Sequence, residues 1–254
     1  MSAQAFLRAK RLLYPGTDIA TRERLRRFAP LFRSGDVATL DVGCGNGAFS
    51  LAAYRRGNRV LGVDLNPDNV ERCREYARFL KADERRLRFE VADAYAIEQS
   101  TGERFDQVIA FEILEHLLHD CAAVVGFGRV LERGGILHVS SPYLHRRTYA
   151  GEVLSDDEDG SHVRLGYTFA ALDELFRSAG LEPALRGTAV GPSSRAALEL
   201  VNRAEQVAGR AGAIALLAAT TPFRLLDRLP GRLDVGKALI LYAQALKPYV
   251  SAAR

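Results

Sequence analysis

From Val37 onward, short apolar runs alternate with longer segments whose apolar residues recur at helical spacing. The runs are VATLDV, NRVLGVD, LRFEVAD, FDQVIAF and GGILHVSS. The segments between them include NPDNVERCREYARFLKA and AAVVGFGRVLER. Strand–helix–strand alternation repeated in this way predicts a parallel sheet with helices on both faces.

Both ends of the chain depart from this alternation. Residues 1–34 place apolar side chains at helical spacing among many arginines, which predicts two amphipathic helices covering one edge of the sheet. After the fifth strand, a polar loop containing SDDEDG precedes a helix over about 169–179, and residues 183–190 form a candidate sixth strand. Residues 192–235 are rich in alanine, leucine and arginine and predict helices inserted before a last strand, KALILYAQALKP.

We therefore expect four parts: an N-terminal helical cover (1–34), a ligand-binding core (35–191), a helical insertion (192–235) and a final strand with its tail (236–254). The insertion contains the apolar window AGAIALLAAT, which is shorter than a membrane span. A core-facing helix is the first interpretation of this window. A lid and a helix on a membrane surface are the alternatives.

Composition excludes several classes of protein. The 254 residues are 48% hydrophobic and 26% charged, which is typical of a folded globular chain. The net charge is +4, from 35 basic and 31 acidic residues, and so small an excess indicates no nucleic-acid partner. Three cysteines without CxxC spacing indicate neither a disulfide framework nor a zinc site and favour a reducing cytoplasm. The sequence shows neither a signal peptide nor an apolar run of membrane-spanning length, so we expect neither secretion nor insertion.

The strongest local signal is the glycine-rich stretch LDVGCGNGAFS at 40–50, where a predicted strand gives way to a predicted helix. Glycines let the backbone turn sharply and approach a ligand, and the free N–H groups of a helix start favour a polar or anionic group. Gly43, Gly45 and Ala48 also satisfy GxGxxG/A, and Asp64 follows about 20 residues on. A dinucleotide-dependent dehydrogenase therefore fits this stretch taken alone.

Acidic residues at the ends of the first three strands favour another ligand. Asp41 precedes the first glycine, where a carboxylate repels pyrophosphate and attracts an ammonium group, directly or through water. Asp64 ends the second strand, where it can accept hydrogen bonds from both ribose hydroxyls. Asp93 ends the third strand, where it can accept from an adenine amino group, with the Ala94 N–H available for a ring nitrogen. Together they predict a pocket for a nucleoside that carries an amino acid.

With these motifs in order, the chain resembles the class I S-adenosylmethionine-dependent methyltransferases from about Val37 to Gly180, with an ending through Lys247. The resemblance implies an α/β, Rossmann-like fold: a seven-stranded, mostly parallel sheet whose last strand is antiparallel and displaced here by the helical insertion. It implies that LDVGCGNG is the cofactor loop, that FDQVIAFEILEHL is the fourth motif, and that S-adenosylmethionine is the cofactor. The implied cofactor-binding residues are Asp41, Gly43, Cys44, Gly45, Asn46, Gly47, Asp64, Leu65, Asp93, Ala94, Phe111 and Glu112.

The acceptor side has to be sought outside these motifs. Amino-adenine and amino-cytosine methylases share a [DNS]PP[YFW] motif at the end of strand four, where this chain has Phe111 and Glu112. The Pro-Cys nucleophile of the cytosine-C5 enzymes is absent there too, so we expect no DNA partner. Tyr143, His145 and Arg146, just past strand five, lie where the acceptor pocket should open.

The residues after strand four offer metal or acid–base chemistry. Glu112, Glu115 and His116 recur at i, i+3 and i+4, so a helical turn would place all three on one face, and His162 follows downstream. This ExxEH element resembles the ubiquinone-pathway O-methyltransferases and the small-RNA 2′-O-methyltransferases, in which such residues hold a divalent ion against an acceptor hydroxyl. Alternatively, Glu115 stabilises a helix N-terminus through the helix dipole, and His116 has a structural role as a hydrogen-bonded side chain. We predict His116 and His162 as catalytic residues, the latter as a general base, and assign no metal.

The sequence thus predicts a cytoplasmic S-adenosylmethionine-dependent methyltransferase acting on a hydroxyl of a small or amphipathic molecule, such as a quinol, sugar or natural-product intermediate. RNA 2′-O-methylation is an alternative, disfavoured because the arginines are scattered and no RNA-binding appendage is visible. A non-catalytic, methyltransferase-like binding protein is another. We expect a monomer or homodimer, leave a peripheral membrane contact open, and predict structural roles for His119 and His138.

Overall fold

The structure of the protein is a computed structural model that describes residues 18–146, 154–229 and 233–249. Of the two helices predicted in residues 1–34, the first lies outside the described residues. The second is α1 (Ile19–Phe28), which continues into a 3-10 turn. Asp18 caps α1 because its Oδ1 accepts a hydrogen bond from the Ala20 N–H at 2.9 Å.

After α1, the elements are β1 (Ala38–Val42), α2 (Ala48–Arg55), β2 (Arg59–Asp64), α3 (Pro67–Phe79), β3 (Leu87–Val91), α4 (Ile97–Thr101), β4 (Phe105–Phe111), α5 (Asp120–Val130), β5 (Leu131–Pro142), α6 (Phe169–Ser178), β6 (Glu182–Ala189), α7 (Pro192–Ala219), α8 (Thr221–Arg224) and β7 (Ile240–Leu246). The seven strands form one sheet in the order β3-β2-β1-β4-β5-β7-β6. The strands β3, β2, β1, β4 and β5 pair in parallel, and β7 pairs antiparallel with β5. The seven-stranded, mostly parallel sheet with an antiparallel last strand is thereby confirmed.

Strand alternation gives the sheet two differently packed faces. On one face, Leu40 and Val139 belong to an apolar cluster that includes Phe127 of α5. On the other face, Phe111 at the end of β4 packs on Phe49 of α2 with ring centroids 4.6 Å apart. The predicted helices on both faces of the sheet are therefore present, and each buries apolar side chains against the strands.

A chain of buried polar side chains lies on the Phe111 face. The Gln107 side-chain oxygen accepts from the Arg33 backbone N–H at 3.0 Å, so the His138 Nε2, 3.2 Å away, must donate to that oxygen. The His138 Nδ1 then accepts from the Tyr242 hydroxyl at 2.7 Å. Burial lowers the pKa of His138 to about 3, so the ring is neutral and serves as a strut between β4, β5 and β7.

Two compact units divide the chain. The sheet unit comprises residues Leu31–Gly187 together with the chain from Ile240, and the helical unit comprises α1 with residues Thr188–Leu239. The elements described below as the candidate site all belong to the sheet unit.

Within the helical unit, α7 is interrupted at Gly209, whose φ of 65° and ψ of −168° are not helical. Ala213 and Leu217, from the apolar window of the insertion, pack against Ile19 and Val201 in the core of this unit. This window therefore forms a helix with one side facing the core of the helical unit. None of the helices that the structure describes is both long enough and apolar enough to cross a membrane.

Candidate active site

The glycine loop joins β1 to α2 at the carboxyl edge of the sheet. Gly43, Gly45 and Gly47 all have left-handed backbones, with φ of 67°, 53° and 75°. A Cβ on Gly43 would lie 2.8 Å from the Cδ1 of Ile113, just past β4, and the Cys44 N–H donates to the Val63 carbonyl at 2.9 Å. The loop is therefore fixed between the ends of β2 and β4 and leaves no room for a side chain at Gly43.

Asp64 ends β2 and also orders the glycine loop. Its Oδ2 accepts from the Gly45 N–H at 2.8 Å, and its Oδ1 accepts from the Asn66 N–H at 2.9 Å and from the Asn69 side chain at 3.1 Å. The next residue, Leu65, leaves 68% of its surface exposed. One half-buried carboxylate therefore fixes the loop geometry and presents negative charge beside an exposed apolar side chain.

Asp41 is buried one residue before the end of β1, with only 2% of its surface exposed. Its Oδ2 accepts from the Ser50 hydroxyl of α2 at 2.5 Å. Burial raises the pKa of Asp41 to about 7 despite the Ser50 hydrogen bonds, and the neighbouring charge of Asp64 acts in the same direction. A cation placed close to Asp41 would favour its ionised form.

Asp93 follows β3 and is exposed. Its Oδ1 accepts from the Tyr95 N–H at 2.9 Å and starts a 3-10 turn over Ala94–Ala96. Because β1, β2 and β3 are adjacent and parallel, Asp41, Asp64 and Asp93 all stand at the same edge of the sheet, as the sequence predicts.

Three further predicted cofactor residues have local structural contacts. The Cys44 thiol is hydrogen-bonded with that of Cys73, which together with burial raises the pKa of Cys44. The Asn46 side-chain oxygen accepts from the Ala48 N–H at 3.1 Å at the start of α2. Phe111 is buried. Direct cofactor contacts of these three residues stay predictions.

The turn after β4 differs from the sequence expectation. Glu112 has a left-handed backbone with φ of 53°, and its Oε1 accepts from the Ser140 hydroxyl at 2.9 Å. The helical turn starts only afterwards, as a 3-10 turn over Leu114–His116. The expectation that Glu112, Glu115 and His116 share one helical face is therefore wrong, because the chain reverses its backbone hand at Glu112.

Glu115, His116 and His162 come together instead. One potential ligand atom from each residue lies within 4.8 Å of the others, and the two imidazole rings meet edge to face with centroids 4.8 Å apart. Glu115 is fully buried and accepts from the Ser141 hydroxyl at 3.3 Å. The His116 Nδ1 lies 2.9 Å from the Ser161 carbonyl oxygen, which can only accept, so Nδ1 carries a proton and the neutral ring has its lone pair on Nε2.

The polar loop between β5 and α6, residues 154–166 (the 154–166 loop), brings His162 to this cluster. The Val163 N–H donates to the Glu115 carbonyl, and the Ser155 N–H donates to the His162 carbonyl, both at 2.9 Å. On the other side of the loop, Arg146 donates to the Leu165 carbonyl. Main-chain hydrogen bonds therefore hold His162 beside the turn after β4.

Of the remaining acceptor-side residues, Tyr143 and His145 stand just past β5 with ring centroids 5.4 Å apart. His119, for which a structural role is predicted, is exposed at the start of α5. The residues that the sequence does not point to are the partners of the acids: Ser50, Ser140, Ser141, Tyr95 and Glu158. Ser140, Ser141 and Glu158 contact residues far away in the chain. Ser50 and Tyr95 lie close to Asp41 and Asp93 in sequence, but their spacing from these acids follows no recognised motif.

The sheet order, the left-handed glycine loop and the three acids define a nucleoside-binding α/β enzyme core. A family model for a methyltransferase domain matches residues 33–177, which is more than half of the chain. The chain is 30% identical over 181 residues to a ubiquinone biosynthesis O-methyltransferase of Cereibacter sphaeroides, covering 68% of this chain and 71% of the relative. It belongs to the class I S-adenosylmethionine-dependent methyltransferases, and S-adenosylmethionine is its methyl donor.

Further comparisons are more distant. The human mitochondrial ubiquinone biosynthesis O-methyltransferase is 28% identical over 127 residues, which are half of this chain and 34% of the human protein, so the match spans about a third of that relative. The structure of magnesium protoporphyrin IX methyltransferase from Synechocystis, with bound S-adenosylhomocysteine, has a TM-score of 0.58 at 14% identity, covering 96% of this chain and 95% of that one. The [4+2]-cyclase SpnF has a TM-score of 0.58 at 24% identity, covering 97% and 82%. Both structures share the fold.

Proposed function

We propose that this methyltransferase transfers the methyl group of S-adenosylmethionine to a hydroxyl oxygen of a small or amphipathic acceptor. The observation that carries the proposal is the cluster of Glu115, His116 and His162. Glu115 and His116 follow closely after Ile113, the residue that lies against Gly43 of the cofactor loop. The name of the relatives, ubiquinone biosynthesis O-methyltransferase, favours oxygen as the nucleophile.

The cofactor is held in this proposal by the acids of the sheet edge. Asp64 would accept hydrogen bonds from the ribose hydroxyls, and Asp93 and the Ala94 N–H would bind the adenine edge. The exposed Leu65 would pack on the adenine ring. Asp41 attracts the ammonium of the methionine moiety, directly or through water. When bound, S-adenosylmethionine supplies a methyl group on a positively charged sulfur, which the acceptor oxygen must approach in line.

The histidines handle the proton of the acceptor. As the oxygen–methyl bond forms and the sulfur–methyl bond breaks, the hydroxyl proton passes to Nε2 of His116, which has the lone pair in the described hydrogen-bond pattern. The Ser161 carbonyl at Nδ1 then stabilises the imidazolium that results. His162, 4.8 Å away ring to ring, positions the acceptor and is the alternative base.

The same three side chains fit a divalent metal ion. Glu115 offers a carboxylate oxygen and the two histidines offer ring nitrogens, which is a donor set that divalent metals accept. The bond from the His116 Nδ1 to a carbonyl is the contact that metal-bound histidines commonly make through their other nitrogen. A metal held there would lower the pKa of the acceptor hydroxyl.

A product-mass screen tests the proposal. The purified protein is incubated with S-adenosylmethionine and a panel of quinols, catechols, sugars and phenolic intermediates, with and without chelator. We expect a methyl ether on at least one class of acceptor, and His116→Ala should lower kcat by about a hundredfold or more, the usual worth of an acid–base group. His119→Ala removes an exposed imidazole and serves as the control.

The results distinguish a metal-assisted mechanism from one that uses a histidine base alone. Activity lost with chelator and restored by a divalent metal favours the metal-assisted form, whereas chelator-resistant activity favours a histidine base alone. Binding of S-adenosylhomocysteine without methyl ether formation on any hydroxyl acceptor would contradict O-methylation. Methyl transfer to a nitrogen or carbon acceptor would contradict it equally.

A further inference from the structure

One exposed side chain, Glu158, connects the predicted adenine side of the cofactor site to His116 and His162, which we call the histidine pair. Its Oε1 accepts from the Tyr95 hydroxyl at 2.5 Å and from the Leu118 N–H at 2.6 Å. The same Tyr95 hydroxyl accepts from the His119 N–H at 3.0 Å. One carboxylate thus connects the 154–166 loop to the turn after β3 and to the start of α5.

Tyr95 is close to the adenine-binding residues in sequence and in hydrogen bonding. It follows Ala94, and its backbone N–H donates to Asp93. Burial and the hydrogen bond to Glu158 raise the pKa of Tyr95 to about 12, so its hydroxyl remains a donor near neutral pH. A ligand that occupies Asp93 and Ala94 therefore acts on the residue that contacts Glu158.

The other end of this connection is the histidine pair. Three residues after Glu158, the Ser161 carbonyl accepts from Nδ1 of His116, and His162 follows directly. The Asp159 side chain accepts from the Ser161 N–H at 2.8 Å, which keeps this stretch of the loop compact. The position of Glu158 therefore affects the placement of both histidines.

Fold stability does not explain the contact. Glu158 is exposed, and the half-buried Tyr95 packs against the apolar core of the sheet unit, a packing that Tyr95→Phe would keep. Exposed polar contacts contribute little to the free energy of unfolding. They can nevertheless decide which of several loop positions is populated, because loop positions differ by small free energies.

We infer that Glu158 is a positioning residue that, through Tyr95, couples cofactor binding to closure of the 154–166 loop over the acceptor site. The inference rests on the proposed placement of adenine at Asp93. Cofactor binding fixes the turn after β3, Tyr95 then holds Glu158, and the loop stays in the position that keeps His162 beside His116. By linkage, loss of the contact weakens cofactor binding as well.

Calorimetry with S-adenosylhomocysteine, combined with NMR of the histidine Cε1–H groups, tests the coupling. Tyr95→Phe and Glu158→Ala should each weaken S-adenosylhomocysteine binding by up to about fivefold, the worth of one hydrogen bond, and the double variant should lose no more than either. In both variants the ligand should no longer shift the His116 and His162 signals as it does in the wild type. Glu158→Gln keeps an acceptor oxygen and should restore both effects, whereas Asp157→Ala, which removes a neighbouring exposed carboxylate, should change neither.

Wild-type affinity and signal shifts in Glu158→Ala would overturn the inference, and so would additive losses in the double variant or a Gln variant that behaves like Ala. Asp93→Ala distinguishes this failure from failure of the proposed site. If Asp93→Ala weakens binding and Glu158→Ala does not, only the coupling is wrong. If Asp93→Ala binds like the wild type, the placement of adenine is wrong, and the inference fails with it.

Discussion

In the proposed cofactor site, Asp41 is the acid that would meet the ammonium of the methionine moiety. Burial raises its pKa to about 7, so the carboxyl of the free protein is partly protonated near neutral pH, whereas an ammonium beside it favours the ionised form. Binding of S-adenosylhomocysteine then releases a proton below pH 7. The affinity should rise with pH and level off above about 7.

Asp41→Asn should bind S-adenosylhomocysteine more weakly and with no such pH dependence. Calorimetry at pH values on either side of 7 measures both effects. A wild-type affinity that does not change with pH, or a slope that survives in Asp41→Asn, would show that Asp41 is not the group that meets the ammonium.

Burial shifts the pKa of His138 in the opposite direction from that of Asp41. Its pKa falls from an ordinary 6.5 to about 3 in the folded protein, so the unfolded chain binds a proton between these values and the folded chain does not. The stability that the neutral ring contributes is complete above about 6.5 and is lost as the pH falls towards 3. The free energy of unfolding of wild type relative to His138→Gln should therefore shrink as the pH falls through this window. Urea titrations at several pH values measure it, and a difference that is constant with pH would contradict the lowered pKa of His138.

At the scale of elements, the glycine loop is a tightly constrained connection of the site. Gly43 needs a left-handed backbone and has Ile113 where a Cβ would stand, whereas Gly102, at the end of α4, has a similar φ of 59° with nothing within 4 Å. Alanine at either position carries left-handed strain of roughly 1–2 kcal/mol. Only at Gly43 does the side chain also displace the loop from β4.

Gly43→Ala should therefore abolish measurable S-adenosylhomocysteine binding, whereas Gly102→Ala should lower stability but bind the ligand like wild type. Calorimetry and chemical denaturation on the same two proteins separate the effects. Equal loss of binding in both variants would mean that strain, not the contact with Ile113, governs the loop.

The strands β1 to β4 are readable from the sequence because each is a short apolar run bounded by turn residues. For the second run, NRVLGVD, β2 covers Arg59–Asp64. The turn after β4 is not readable in this way, because spacing alone makes Glu112 a helical neighbour of His116. The left-handed backbone at Glu112 depends on its contacts with Ser140, which lies on another strand. Likewise, the contact between Tyr95 and Glu158 joins residues whose sequence separation carries no periodic signal.

At the scale of the whole molecule, the seven-stranded sheet and its antiparallel last strand follow from the resemblance, while the strand order and the division into units require the structure. The predicted cover and insertion are distant in sequence, yet α1 and the insertion fall in one helical unit. Buried contacts such as that of Ile19 with Ala213 cannot be read from spacing, because each residue alone is an ordinary apolar position of an amphipathic helix.

The helical unit has its own stabilising acid in Asp227. This buried carboxylate accepts from the Ser193 N–H at 3.0 Å and the Ser194 N–H at 2.8 Å, which satisfies the first turn of α7. Asp227→Ala should lower the free energy of unfolding of this unit by about 1–3 kcal/mol. Hydrogen exchange should then speed up in α7, while S-adenosylhomocysteine affinity should stay near that of the wild type, because the predicted cofactor residues belong to the sheet unit. A large loss of affinity would contradict this separation.

The most direct test of the central claim is a crystal structure with S-adenosylhomocysteine bound. We expect the ribose hydroxyls on Asp64, the adenine edge at Asp93 and Ala94, and the sulfur facing the space beside His116 and His162. A ligand whose ribose does not reach Asp64, or whose sulfur faces away from both histidines, would contradict the claim that these acids hold the donor while this histidine pair serves the acceptor hydroxyl.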